Sequence, residues 1–286
     1  MAKDTFLNRK TTVNVKGRLL DLSVPTVMGI LNLTPDSFYS SSRMATTDDA
    51  LARTEAFLNE GAAFIDIGAY SSRPGAAEVS TDEELRRLIP VIEAITKKLP
   101  EAVLSIDTFR AKVAKESVMA GAHIINDIAA GGLDEAMFET IAQLQVPYIL
   151  MHMKGSPQTM QQHASYSNIG LEVTDYFQSK IAVLRALGVK DIIIDPGFGF
   201  AKTPAHSYQL LNQLEDLQIF ELPVLAGVSR KSMIYNFLGI TAQEALNGTT
   251  VLNTIALLKG ASILRVHDVK AATECIALVQ KTLTWH

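Results

Sequence analysis

From Val27 onward one unit recurs along the chain: a short apolar run, a polar or glycine-rich loop, then apolar residues at helical spacing. The runs are Val27 to Leu31, Phe64 to Ile67, Val103 to Ile106, His123 to Asn126, Pro147 to Met151, Ile192 to Asp195, Pro223 to Gly227 and Ile263 to Val266. The helical segments are Thr47 to Asn59, Asp82 to Lys98, Ala111 to Ala120, Asp134 to Gln145, Ile169 to Leu187, Ala205 to Leu217, Ala242 to Lys259 and Val269 to Leu283. Eight such units in alternation specify an α/β fold of the (β/α)8 TIM barrel type more readily than an open sheet. α/β barrels reach 286 residues as one domain and no linker interrupts the repeat, so residues 1–286 are expected to form a single domain. Thr11 to Leu22 alternate apolar and polar around Lys16-Gly17, which predicts an N-terminal hairpin over residues 11–22 capping the barrel bottom.

Several helix ends are written locally. Ser80-Thr81-Asp82-Glu83-Glu84 supplies a cap and an acidic first turn, and Gly61, Gly121, Gly188 and Gly260 follow last turns. The longest irregular pieces, Asn32 to Thr46, Ala69 to Ser80 and Met153 to Asn168, all follow strands and so fall on the catalytic face.

Composition narrows the partners. A formal net charge of −4 with scattered Lys and Arg makes nucleic acid an unsuitable partner. The single cysteine, Cys275, has a helical core context and suits a reducing compartment. MAKDTFLNRK has no apolar core of a secretory signal, and Val251 to Leu264, interrupted by Asn253 and Lys259, falls short of the roughly 18 apolar residues of a membrane span. A soluble cytoplasmic protein with no membrane association is the expectation.

Asp191 to Lys202, DIIIDPGFGFAK, carries the strongest local signal. Three isoleucines suit a strand buried on both faces, and Asp195 ends it in a carboxylate before Pro196 and Gly197 break it. A charge there is functional or paired, because burying it alone costs several kcal/mol. The other strand ends and loops bring Asn32, Ser72, Arg73, Asp107, Asn126, His152, Lys231, Arg265 and His267 to the same rim. Asp107, Asn126 and Asp195 can read the edge of a flat, nitrogen-rich heterocycle, or else salt-bridge neighbouring Lys or Arg. Arg73, Lys231, Arg265 and His267 suit a phosphate or diphosphate. Arg230 reads as a solvated loop charge, and His152 lies on the functional face without an assigned role.

Other chemistries lack their signatures. The six histidines show no H-E-x-x-H spacing, and one cysteine rules out a thiolate zinc cluster. Walker A and G-x-S-x-G sequences are absent, and Gly197-x-Gly199 lacks the third glycine of a dinucleotide fingerprint. A Schiff base at Lys231 is poorly supported, because SRKS reads as a loop in which the amine stays charged.

The chain resembles the dihydropteroate synthase family in MGILNLTPDSF (Met28 to Phe38), SSRPG (Ser71 to Gly75), SIDT (Ser105 to Thr108), IND (Ile125 to Asp127), MHMKGSPQTMQ (Met151 to Gln161), DPGFGFAK (Asp195 to Lys202), SRKSMI (Ser229 to Ile234) and RVHDV (Arg265 to Val269). The resemblance implies a (β/α)8 barrel that joins 6-hydroxymethyl-7,8-dihydropterin diphosphate to p-aminobenzoate, and a homodimer. By motif, Asp107, Asn126, Asp195 and Lys231 would hold the pterin; Asn32, Arg73, Arg265 and His267 would hold the diphosphate, with Mg²⁺ at Asn32. Ser72, Pro74, Phe200, Lys231 and Ser232 would form the p-aminobenzoate pocket, where sulfonamides also bind in that family. Asp107, Lys231, Arg265 and His267 would carry the catalysis, with diphosphate leaving before the amine attacks.

The chain departs from the family in SFYSSSRM, where a Ser-Asp-Gly-Gly type is usual, and in GAYSSRPG, where Ala69, Tyr70 and Ser72 replace glycine, glutamate and threonine. Ala201 stands where glycine is frequent. A similar barrel could instead present methyltetrahydrofolate to a corrinoid partner, but that substrate has no use for Arg73 and Arg265 together. A silent paralogue is disfavoured by the complete set of strand-end residues.

Overall fold

The computed structural model describes residues 11–33, 43–70 and 79–284. Two short strands, β1 (Thr12–Val15) and β2 (Arg18–Asp21), pair antiparallel across the Lys16-Gly17 turn, where both residues have positive φ. Eight parallel strands follow: β3 (Thr26–Asn32), β4 (Phe64–Gly68), β5 (Leu104–Asp107), β6 (Ile124–Asp127), β7 (Tyr148–Met151), β8 (Ile192–Asp195), β9 (Leu225–Ala226) and β10 (Ile263–Val266). Each neighbours the next, β10 pairs with β3, and a parallel bridge from Ile194 to Val224 joins β8 to β9, so the sheet closes into the expected barrel.

The helices are α1 (Arg43–Asn59), α2 (Thr81–Lys98), α3 (Ala111–Ala120), α4 (Met137–Leu144), α5 (Ile169–Ala186), α6 (Pro204–Asn212), α7 (Ser232–Leu238), α8 (Leu246–Leu258) and α9 (Val269–Thr284). Local signals set several ends. Ser80 accepts from the Glu83 amide at 3.2 Å, and Asn168 does the same for Leu171 at 3.1 Å. Gly61, Gly121, Gly188 and Gly260 all have positive φ after last turns, as their positions predict.

Three expectations need correction. The segment Ala205 to Leu217 splits into α6 and a 3-10 helix, Leu214–Phe220. Ala242 to Lys259 is helical only from Leu246, because Glu244 turns back to accept from the Thr241 amide and hydroxyl at 2.9 and 2.8 Å. Asp134 does not begin a helix: its carboxylate accepts from Ala111 at the start of α3 and from Ala136, and α4 starts at Met137.

The strand period of two sorts the core into layers. Outward residues such as Ile65, Ile67, Leu104, Ile106, Ile192 and Ile194 pack against the helices in the main cluster. Inward residues at the strand starts, Met28, Phe64, Val103, Ile124, Ile149, Ile193, Leu225 and Ile263, form a second cluster with Val13, Val15 and Leu22. The hairpin therefore seals the bottom of the barrel, and its apolar side continues the barrel's own floor. Among the described residues no helix is long and apolar enough to cross a membrane. Cys275 is buried on α9.

Candidate active site

Two residues beyond each floor position the inward chain changes character: Ile30, Asp66, Ser105, Asn126, Met151, Asp195, Gly227 and Arg265. Asp66 lies at the middle of this layer, fully buried. Its carboxylate accepts from Ser105 Oγ at 2.6 Å, Asn126 Nδ2 at 3.0 Å and Arg265 Nε at 2.6 Å. Arg265 Nη2 donates on to Asp107 at 2.8 Å. Burial works against the Arg265 charge, but Asp66 and Asp107 outweigh it and hold the guanidinium above its ordinary pKa. Asp107 is pushed up to about 7 by burial, with Arg265 pulling against the shift. The groups expected at the pterin and the diphosphate are thus joined, Arg265 to Asp107 directly and to Asn126 through Asp66, an acid that the strand-end reading missed. Gly68, on β4, borders this rim: a Cβ there would be in ordinary contact with Asp107 Cβ at 3.4 Å and Asn32 Oδ1 at 3.7 Å.

Asp195 faces the opposite wall. Its carboxylate accepts from the Gly197 amide at 2.7 Å, and burial raises its pKa while Lys231 opposes that rise. Lys231 sits at the N-terminal end of α7, a short helix that the sequence reading left as loop. Its ammonium donates to Phe198 O and lies 4.8 Å from the Phe200 ring centroid. Burial pushes this amine down to about 8, so it is more desolvated than a loop position suggests. Ser232 follows as the first residue of α7. Phe200 packs with Phe109 on a patch formed by Ile128, Ala129, Met151, Met153, Met160 and Ala201.

His267 Nδ1 and Ser229 Oγ lie 3.1 Å apart, and the His267 amide donates to the same Oγ at 3.2 Å. Arg230 is corrected: it is no solvated charge but a clamp, bidentate to Asp268 at 2.8 and 2.9 Å and donating to Ala242 O at 2.8 Å. His152, left without a role above, is 1% exposed, and its Nδ1 lies 2.8 Å from Lys202 Nζ. Burial and the nearby Lys202 push its imidazole down to about 2, which keeps it neutral.

Ser72, Arg73 and Pro74 lie outside the described residues, as do most of the SFYSSSRM and GAYSSRPG loops. Of the departures, Tyr70 is edge-on to Phe109 at 5.1 Å and accepts from Gln158 Nε2 at 2.9 Å. Ala201 takes φ of 49°, a left-handed conformation that explains the family's glycine.

The fold and this convergence of acids and cations at the C-terminal mouth define an α/β-barrel active site. Comparison makes the class particular. The family described as "pterin binding enzyme" matches residues 28–267. Dihydropteroate synthase of Escherichia coli is 45% identical over 271 residues, 94% of this chain and 95% of that protein. The crystal structure of Yersinia pestis dihydropteroate synthase in a sulfonamide drug complex is 44% identical with a TM-score of 0.89, covering 96% of this chain and 100% of that one. Xanthomonas albilineans dihydropteroate synthase with 4-aminobenzoic acid is 37% identical with a TM-score of 0.89, covering 96% and 99%. The chain belongs to the dihydropteroate synthase family of pterin binding enzymes.

Proposed function

We infer that this chain condenses 6-hydroxymethyl-7,8-dihydropterin diphosphate with p-aminobenzoate, giving 7,8-dihydropteroate and diphosphate for folate synthesis. The observation that carries the reading is the pairing of Asp66, Asn126, Asp107 and Arg265 in one polar layer, with Asp195 and Lys231 also at that mouth, in a chain 45% identical to a dihydropteroate synthase.

Asp195 would accept two parallel N–H bonds from the aminopyrimidinone edge, with Asn126 and Lys231 completing the grip on the ring. As the C–O bond breaks, positive charge grows on the pterin and negative charge on the leaving group. Asp107 would stabilise the first, and Arg265, Arg73 and His267 the second. Arg265 Nη1 enters neither ion pair, so a diphosphate oxygen can be held there without displacing Asp66 or Asp107. The arylamine of p-aminobenzoate then attacks from a pocket of Phe200, Lys231 and Ser232, with Ser72 and Pro74. Its proton leaves after the bond forms, so no strong base is needed.

Asn32 and the adjoining Asp107 offer hard oxygen atoms around the cradle at Gly68. The Asn32 side-chain oxygen suits Mg²⁺ held by a single protein oxygen and diphosphate. Bound there, Mg²⁺ would supply Lewis-acid neutralisation of the leaving group. The sulfonamide complex of the Yersinia pestis relative supports sulfonamide binding in the p-aminobenzoate pocket. Val251 and Leu258 on α8 and Leu278 on α9, each at least half exposed, support a homodimer. One cytoplasmic barrel domain spanning residues 1–286 completes the reading.

The test is formation of dihydropteroate and of diphosphate from the two substrates, with and without Mg²⁺. Both products should require p-aminobenzoate and Mg²⁺ for full rate, and early diphosphate release without p-aminobenzoate supports departure before attack. Tight pterin binding without turnover would overturn the reading in favour of a pterin-presenting module.

A further inference from the structure

The loop after β8 is pinned carbonyl by carbonyl. Gly197 O and Phe200 O accept from Lys202 Nζ at 3.0 and 3.1 Å, Phe198 O from Lys231, Gly199 O from Gln161 at 3.3 Å, and Ala201 O from Tyr166 at 2.9 Å. Gly197 and Gly199 take positive φ freely, whereas Ala201, at φ 49°, holds a left-handed conformation that the surrounding contacts must offset. Gly197 also packs directly on the neighbouring strand end, where an added Cβ would stand 2.2 Å from His152 O.

Among the described residues only Lys202 takes two of these carbonyls, and it is 3% exposed. Its Nζ also meets His152 O at 3.3 Å and His152 Nδ1 at 2.8 Å. Three N–H donors therefore face four acceptors, and the buried charge is fully partnered. Burial drives its pKa well below the ordinary lysine range, with Asp195 opposing. The neutral His152 can accept at Nδ1, and its ring is itself held edge-on by Tyr176 at 4.7 Å.

The consequence lies one bond further on. The loop that Lys202 fixes carries both groups that seat the Lys231 ammonium, the Phe198 carbonyl and the Phe200 ring. We propose that Lys202, braced by His152, is a positioning residue for the arylamine side of the site, setting the loop that presents Phe200 and seats Lys231. This rests on the transferase reading, and because Lys231 touches both substrates there, it assigns Lys202 a larger effect on p-aminobenzoate than on the pterin. The pterin's main anchors, Asp195 and Asn126, stand on β8 and β6, where the sheet fixes their backbone, and the Gly197 amide ties Asp195 to the loop.

The experiment compares the full chain with Lys202→Met, a substitution of similar length that removes every donor. Loss of the hydrogen bonds at this loop should raise KM for p-aminobenzoate about tenfold or more, while Kd for the dihydropterin diphosphate changes less than about threefold. Equal loss for both substrates, or an unmoved KM for p-aminobenzoate, overturns the proposal. Where Lys202→Met gives no cooperative melt, His152→Leu removes one acceptor and leaves the ammonium: a KM for p-aminobenzoate raised about threefold supports the link, and no change overturns it. No turnover by the unmodified chain would refute the transferase reading and take the proposal with it. Turnover there with an unmoved KM in the variant would refute the proposal alone.

Discussion

Asp66 gives the sharpest test of how the site is held. Its fully buried carboxylate accepts from Ser105, Asn126 and Arg265, so Asp66→Ala strands three donors at once. Deleting one partner of a buried ion pair costs about 3–5 kcal/mol, and each stranded neutral donor about 1–3 kcal/mol where water cannot enter. Arg265 keeps Asp107 and is 19% exposed, which argues for the lower end, roughly 5 kcal/mol in all. An unfolding entropy of about 2.1 cal/mol/K per residue over 286 residues is about 0.6 kcal/mol/K, so Tm should fall by roughly 8 °C. Urea melts would give the free energy, and a cycle with Arg265→Met should show a coupling of at least about 2 kcal/mol. Loosening Asn126 and Arg265 should also cost roughly 100-fold in kcat/KM. A Tm drop under about 2 °C, or strictly additive losses in the cycle, would refute a buried network centred on Asp66.

The other predictions concern titration, recognition and the clamp. Ionised Asp107 appears above about 7 and protonated Lys231 is lost above about 8, so kcat/KM should rise through the first value and fall through the second. Lys231→Arg should abolish only the alkaline limb, since guanidinium stays charged, and a profile flat from about pH 6 to 9 would refute both assignments. Asp195→Ala should abolish pterin binding by calorimetry, and retained affinity would remove it from the site. Arg230→Ala should cost about 1–3 kcal/mol in urea melts through loss of the Asp268 pair, whereas a change under about 0.5 kcal/mol would return Arg230 to the solvent.

The barrel was legible because its signal is repetition: each apolar run is short, β-branched and followed by a helical period, and no single boundary matters. Local chemistry resolved the helix ends that a cap or a glycine marks, such as Ser80 and Gly121. It failed at α7, whose seven residues are too few for a helical period to emerge, and at Asp134, whose carboxylate serves another helix 23 residues away. Arg230 was misread for the same reason, since its partner Asp268 is 38 residues distant. Asp66 was hidden differently. Every residue of FIDIG is buried, so alternation of polarity is lost, and a rule that samples strand ends passes over an acid in mid-strand. Counting by two from Phe64 would have found it.

That count also explains why the site's charges are perturbed together. The floor of Met28, Phe64, Val103, Ile124, Ile149, Ile193, Leu225 and Ile263, sealed by the hairpin, excludes water directly beneath Asp66, Ser105, Asn126, Asp195 and Arg265. A charge in that layer can be stabilised only sideways, by another side chain, or upward, by whatever occupies the mouth. Sideways pairing is complete for Asp66, whereas Asp107 and Asp195 remain raised by burial and Lys231 lowered, despite their mutual attraction. Each of these three gains from a ligand that brings the complementary hydrogen-bonding group: N–H donors for the acids, acceptors for the amine. The raised acids and lowered amine thus match a flat molecule with donors along one edge and an acceptor beside them. A monocyclic ring lacking those donors should bind without drawing the acids' pKa values down, and proton release measured by calorimetry in buffers of different ionisation enthalpy would separate the two cases.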